Sequence, residues 1–337
     1  MRWLLAALAI AACSNTPKQA APASDPTITG HTPDGSSVRL ELAGTTIARA
    51  TPAESTAWLW PPIIDSHVHV AFWPIADQLP ATGIAAVVDL AAPEHTLAAR
   101  GDLHVLAAGP MLTREHGYPL ESWGRDGYGL ACGDAACVTA AIDRLVAAGA
   151  RVIKLAADPD GLDPALVPVA IAAAHANHCK VAVHALTNAA ALLAGRAGAD
   201  VLAHTPVEPL ADATIAAWRG KAVISTLAAF GGGPAAIENL RKLRAGGTTV
   251  LYGTDLGNLR DAGPSATELD LLAKAGLDDA AITAAMTTVP AAFWGFSIGT
   301  VAAGSEASFL LLDRDPRRDA RVLLTPRNVW LRGRRVR

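Results

Sequence analysis

The segment Ile63-Ile-Asp65-Ser-His67-Val-His69-Val sets two histidines two residues apart within an apolar run. An extended strand alternates its side chains, so His67 and His69 point to the same face. Similar intrusions recur further along: Lys154 between Ile153 and Leu155, His184 in KVAVHA, His204 in VLAHT, and Asp255 closing TVLYGTD. Burying such groups unpaired costs on the order of several kcal/mol each. One buried histidine is more often satisfied by a core hydrogen bond than by a metal. Six such groups at matching positions on five apolar runs favour shared ligation of a metal ion instead.

The elements that must carry these residues are short β-branched runs, each followed by an Ala/Leu-rich helical pattern. Strands are expected at 63–70, 84–90, 104–109, 151–156, 180–185, 201–205, 221–227 and 249–255. Helical patterns lie at Val138–Ala148, Pro164–Ala176, Asn188–Ala197 and Ala235–Arg244. Eight strands alternating with helices predict an α/β protein, a (β/α)8 TIM barrel over residues 61–298. In such barrels the functional residues lie at the carboxyl ends of strands, where all six sit. A doubly wound sheet is the structural alternative, but no GxGxxG turn follows a strand, and Gly231-Gly232-Gly233 lacks a phosphate-loop lysine. Short β patterns at Val38–Leu42, Thr45–Ala48, Phe309–Leu312 and Asn328–Leu331 predict a small β-sandwich built from both chain ends, residues 28–60 and 299–337. The stretch 71–83 is short for a crossover helix.

Composition sets the outer limits. Of 337 residues, 51% are hydrophobic and 18% charged, and the formal net charge is −3. That balance excludes a disordered chain and a basic nucleic-acid binder. Mean hydropathy is +0.28, but the longest unbroken apolar run, Trp3–Cys13, is too short to span a bilayer. Residues 1–12 read as a signal peptide, and Ile10-Ala11-Ala12-Cys13 resembles a lipobox with Cys13 as the acylated residue. An ordinary secretory signal is the alternative. Residues 13–27 then form a lipidated tether, and Ser14 after the cysteine favours the outer membrane, with the domain facing the periplasm. In that oxidising space Cys132 and Cys137 could close a small disulfide, with two unpaired thiols as the alternative, while Cys179 reads as a buried small hydrophobe. Nine arginines between Arg314 and Arg337 are either a solvated strand edge or a contact for anionic lipid headgroups.

The series Asp65-x-His67-x-His69, Lys154, His184, His204 and Asp255 resembles the amidohydrolase superfamily, closest to its imidazolonepropionase-like and Xaa-Pro dipeptidase-like branch. The words ARVIKLAAD, VHALTNAAALLAGRAGADVLAHT and YGTD agree, as does the tail Thr288-Val-Pro290-Ala with Gly299–Gly304. The likeness covers residues from about 37 to 337. Two structural positions depart from it: Pro61-Pro62 stands where Pro-Gly is usual, and Ala307-Ser308 where Ala-Asp is usual.

The resemblance implies a divalent metal centre, most simply two zinc ions. His67, His69 and Asp255 would hold the more buried ion, His184 and His204 the second, and Lys154 would bridge them as a carbamate. Lysine as a cation repels metal, but burial favours the neutral amine, which can add carbon dioxide. Metal would then acidify a water to hydroxide, with Asp255 as general acid/base carrying its proton to the leaving group. Asp65 reads as an orienter of the backbone. Arg114, His116 and Tyr118 in TREHGY are the candidates for touching a substrate carboxylate or carbonyl; Thr226 and Asn258 have only positional support. His31, His95, His104, His175 and His178 read as structural or surface residues. The implied activity is hydrolysis of an amide-type bond in a small molecule such as a dipeptide, N-acyl amino acid or cyclic amide. Ester, lactone or phosphotriester hydrolysis on the same centre, and a non-catalytic binding lipoprotein, are the alternatives.

Overall fold

A computed structural model describes residues 28–98 and 101–337; the segments expected to be a signal peptide and a tether, with Cys13, lie outside the described residues. Eight strands run parallel at its centre: Ile63–Val68, Ile84–Asp89, His104–Ala107, Val152–Ala156, Lys180–His184, Val201–Leu202, Ala222–Ile224 and Thr249–Leu251. Two further contacts link the remaining neighbours. Arg151 N–H donates to the Ala107 carbonyl (3.2 Å), and Ser66 N–H to that of Tyr252 (2.9 Å). Every residue of the first, second and fourth strands is buried, as a parallel sheet covered on both faces requires. The architecture is TIM-barrel-like.

Three strands are shorter than expected. The ladder stops at Leu202, Ile224 and Leu251, before His204, Thr226 and Asp255. Beyond those points the backbone leaves the extended region, with φ of +39° at Thr226 and +60° at Asp255. His204, Thr226 and Asp255 thus follow their strands, whereas His67, Lys154 and His184 lie within theirs.

The outer layer is uneven. Helices at Ala135–Ala148, Val167–Ala176, Asn188–Ala197, Asp212–Ala217 and Pro234–Ala245 cover the later strands. The first two connections carry only 3-10 turns among the described residues, Pro80–Thr82 and Glu94–Ala98. Regular alternation fails there. The third connection compensates in length, adding strands Met111–Thr113 and Gly129–Ala131 before its helix. That helix is capped by Asp134, whose carboxylate accepts from Cys137 N–H (2.8 Å). Cys132 and Cys137 are joined as a disulfide with Cα atoms 5.4 Å apart.

Alanine lets the layers approach closely. On Asn188–Ala197 the buried face is Ala190, Ala191, Ala194 and Gly195, and Trp218 seats against it, its indole N–H donating to the Ala191 carbonyl (2.9 Å). A Cβ on Gly195 would stand 2.9 Å from that indole nitrogen. The expected β-sandwich takes the form of one seven-stranded sheet drawn from both ends of the described chain, with Trp58–Trp60 and Phe309–Leu312 adjacent. Leu40, Ile47, Leu59, Phe309 and Trp330 fill its core. Arg314, Arg317, Arg321, Arg327 and Arg334 pair with aspartates, which favours a solvated edge over a lipid contact. Among the described residues no helix is long and apolar enough to cross a membrane.

One glycine connects fold to site. Gly257 has φ +120°, and a Cβ there would lie 2.7 Å from the Cβ of His69. Gly35 shares a positive φ (+88°) but has open space around it. We expect Gly257→Ala to destabilise the protein by about 1–3 kcal/mol in urea denaturation and to lower metal content. Gly35→Ala should leave metal content intact. Equal metal content in both variants would show that His69 is not held by this contact.

Candidate metal centre

The carboxyl end of the first strand presents His67, the residue just past it is His69, and the loop after the eighth strand presents Asp255. Their ligand atoms lie within 4.8 Å of one another, and all three residues are buried. His69 Nε2 is 3.1 Å and His67 Nε2 3.6 Å from Asp255 Oδ1. His67 Nδ1–H donates to the Ala203 carbonyl (2.7 Å), which leaves Nε2 as the bare lone pair. Asn258 Nδ2 donates to both Asp255 oxygens (3.1 Å each) and fixes the carboxylate plane. Asp65 does not ligate: it accepts from His67 N–H (3.1 Å), Thr254 N–H (3.0 Å) and Thr254 Oγ1–H (2.6 Å). It thereby binds the first strand to the eighth. Burial pushes its carboxyl up to about 7, against those hydrogen bonds.

The remaining ligand candidates converge on the same chamber. The His204 ring centroid is 4.4 Å from that of His67 and 5.0 Å from that of His184. His204 Nδ1 pairs with the Thr226 hydroxyl (2.9 Å), giving Thr226 an orienting role. Burial, and then the neighbouring cations, hold His67 and His204 well below the usual imidazole range. Burial pushes His184 down to about 3 and Lys154 down to about 7, with Asp255 opposing the latter. Four buried nitrogens at the site, His67 Nε2, His69 Nδ1, His184 Nδ1 and Lys154 Nζ, have no hydrogen-bond partner among the described residues. Orphaned buried donors or acceptors cost about 1–3 kcal/mol each unless something satisfies them. Uncharged nitrogens with free lone pairs beside a carboxylate fit a divalent metal.

The three substrate candidates separate. Tyr118 reaches the centre, its ring stacked on His184 at 4.5 Å. His116 does not: it is exposed and pairs with Glu121 (2.7 Å), and Arg114 is exposed beside it. Position in the same hexapeptide did not predict orientation, because the loop reverses at His116, where φ is +56°. The five remaining histidines lie elsewhere, His104 pairing with Glu306 and His175 with Asp200. Cys179 is buried, as expected of a small hydrophobe.

Sequence reasoning passed over several residues. Asp89 ends the second strand, buried and pushed up to about 6 by desolvation, with the His69 charge opposing. It obeyed the strand-end rule and could have been found by it. Asp158, in the word ARVIKLAAD, accepts from Leu186 N–H, Thr187 N–H and the Thr187 hydroxyl and sets the loop after His184. Trp123 lies 4.9 Å from the His69 ring and left no sequence signal.

Fold and site together define a TIM-barrel-like protein with a candidate metal centre at the carboxyl end of its strands. The chain belongs to the amidohydrolase family, whose profile matches residues 85–336. It is similar to an Xaa-Pro dipeptidase solved with methionine bound in its active site, at 17% identity and TM-score 0.75, over 89% of this chain and 94% of that one. A prolidase in complex with N-methylphosphonate-L-proline gives 19% and 0.73, over 91% and 98%. The ochratoxinase of A. niger gives 16% and 0.71, over 91% and 94%. No curated protein sequence matches the chain.

The depressed histidines make a stability prediction. Between about pH 3 and 6.5 the unfolded chain protonates residue 184 and the folded chain does not. The unfolded state then binds more protons, so this group makes stability rise with pH and fall on acidification. Metal-free wild type should therefore lose stability relative to metal-free His184→Asn below pH 6.5, by up to about 1.4 kcal/mol per pH unit. Urea denaturation of both proteins from pH 7.5 to 4.5 measures it. A gap that stays constant with pH would place His184 in solvent.

Proposed function

We propose that this protein is a metal-dependent hydrolase of an amide-type C–N bond in a small substrate such as a dipeptide, N-acyl amino acid or cyclic amide. The observation that carries the reading is the set of buried, partnerless nitrogens around Asp255. Membership of the amidohydrolase family supports it. The prolidase and dipeptidase folds among its structural neighbours agree with it. The same reading takes the eight strands as a (β/α)8 barrel with reduced early crossovers, and the two-ended sheet as its sandwich.

His67, His69 and Asp255 would hold one zinc ion, His184 and His204 a second. Lys154 is suited to join them: its uncharged Nζ can add carbon dioxide, forming an N–C bond and releasing a proton, to become an anionic two-oxygen bridge. When bound, the metal supplies positive charge that acidifies water and polarises a carbonyl. Asp255 accepts the proton released from the attacking water and delivers it to the leaving nitrogen. Asn258 holds the Asp255 carboxylate in one plane for both transfers. Tyr118 covers the His184 ring and narrows water access.

The compartment belongs to the proposal as well. Acylation at Cys13 would tether the domain to the outer membrane, facing the periplasm, and the Cys132–Cys137 disulfide suits that oxidising space.

Purified protein is expected to carry stoichiometric divalent metal and to turn over a panel of dipeptides and N-acyl amino acids, with chelation removing both. Absence of bound metal after purification with added zinc would sink the hydrolase reading. Lys154→Ala is expected to halve the metal content and abolish turnover; full metal and activity in that variant would exclude the bridged pair. For the anchor, Cys13→Ser should move the protein from the membrane fraction to the soluble periplasm, as followed by fractionation and intact mass. Unchanged partition would reject acylation.

A further inference from the structure

Beside the metal candidates stands a built wall of aromatic rings. The Trp123 ring is 4.9 Å from His69, 5.8 Å from Phe72, 6.1 Å from Tyr118 and 6.2 Å from Tyr128. Its indole N–H donates to the Tyr118 hydroxyl (3.1 Å), and the Tyr128 hydroxyl donates to the Ala71 carbonyl (3.0 Å). The long third connection is thereby fastened to the turn that follows His69. Glycines hold this loop compact: a Cβ on Gly124 would lie 2.4 Å from the Pro119 ring. Tyr118 and Trp123 also pack on a buried cluster of Ala91, Met111 and Ala156 at the strand ends. Such rings are rigid, apolar and polarisable, and they select a flat apolar group.

The next residue in the same turn holds a charge. The Arg260 guanidinium lies 4.6 Å above the Trp73 ring. Trp73 N–H donates to the His69 carbonyl (3.0 Å), and Leu259 N–H to that of Asp255 (3.0 Å). Arg260 therefore rides on segments that each leave a metal candidate. No carboxylate pairs with it among the described residues, whereas five arginines of the distant sheet region have aspartate partners. A guanidinium immobilised on an indole and free of a counter-ion is ready for an external carboxylate.

Phe72 faces the wall and Trp73 carries the cation, so the two recognition elements are one residue apart. We propose that this rim binds the leaving half of the substrate as an aromatic α-amino acid, its ring on the Trp123–Phe72 wall and its carboxylate on Arg260. The assignment rests on the hydrolase reading and narrows its substrate class to N-acyl or N-aminoacyl derivatives of aromatic amino acids.

Binding of the free amino acid tests it without turnover. Calorimetric titration of the metal-loaded full chain with phenylalanine (each enantiomer), alanine and phenethylamine should give one phenylalanine enantiomer at least about tenfold tighter than the other two probes. Arg260→Ala should weaken phenylalanine about tenfold and leave phenethylamine unchanged. Trp123→Ala should weaken phenylalanine more than alanine, with Trp123→Phe restoring most of the preference. Equal affinity for the three probes overturns the proposal. So does an Arg260→Ala variant that weakens phenethylamine as much as phenylalanine. If the binding pattern holds while the metal-loaded protein hydrolyses nothing in the panel, it is the hydrolase reading that falls. Turnover of aliphatic dipeptides without this binding pattern overturns the rim assignment alone.

Discussion

Desolvation of nitrogen bases at one end of the barrel is the constraint on which the rest depends. His67, His184, His204 and Lys154 are all buried within one chamber. Two unit charges 5 Å apart repel by about 3 kcal/mol at an effective dielectric near 20, so several cations in this volume could not coexist. Burial eases this by lowering the proton affinity of all four groups, and neutral imidazole and amine are the forms able to ligate a metal. Orientation then comes from groups that do not ligate. Ala203 fixes the His67 tautomer across the barrel interior, Thr226 addresses His204, and Asn258 fixes Asp255. Asp65, tying His67 to Thr254, makes the closure of the barrel and the geometry of the site a single event.

The ligand candidates were legible because polarity inside an apolar strand is anomalous in sequence as well as in structure. His67, His69, Lys154, His184, His204 and Asp255 could be picked out without knowing a single contact. Asp89 met the same criterion and was missed because a lone carboxylate at a strand end draws no partner from nearby sequence. Strand lengths were overestimated at 201–205, 221–227 and 249–255 for a related reason. Side-chain type continues the β pattern there, but the backbone turns inward, and φ values such as +60° at Asp255 are not written in β propensity.

The loop carrying the three substrate candidates was illegible for a different reason. Residues 114–128 owe their path to long-range contacts: Tyr118 N–H donates to the Asp160 carbonyl (2.8 Å), and a Cβ on Gly117 would lie 2.5 Å from that same oxygen. Which of Arg114, His116 and Tyr118 turns inward is set by those contacts, none of which has a local sequence signature. Alanine content, by contrast, was readable as closely packed helices, and the seat of Trp218 on Asn188–Ala197 shows why so many small residues are needed.

The uneven outer layer has a consequence for how specificity arises. The first two connections carry no α-helix among the described residues, so the turn after His69 is not built as a helical linker. It instead runs across the mouth, offering Phe72 to the third connection and Trp73 to the segment after Asp255. Strands supply what the chemistry needs, and these three connections supply what a ligand would meet. Changes in residues 114–128 can alter the wall while Asp65, His67 and Asp255 keep their mutual geometry, because bonds to Thr254, Ala203 and Asn258 hold those three. The division is not complete, since Trp123 touches His69 directly. A substitution at Trp123 therefore bears on the ring of a ligand candidate as well as on the wall, whereas one at Arg260 bears on the rim alone.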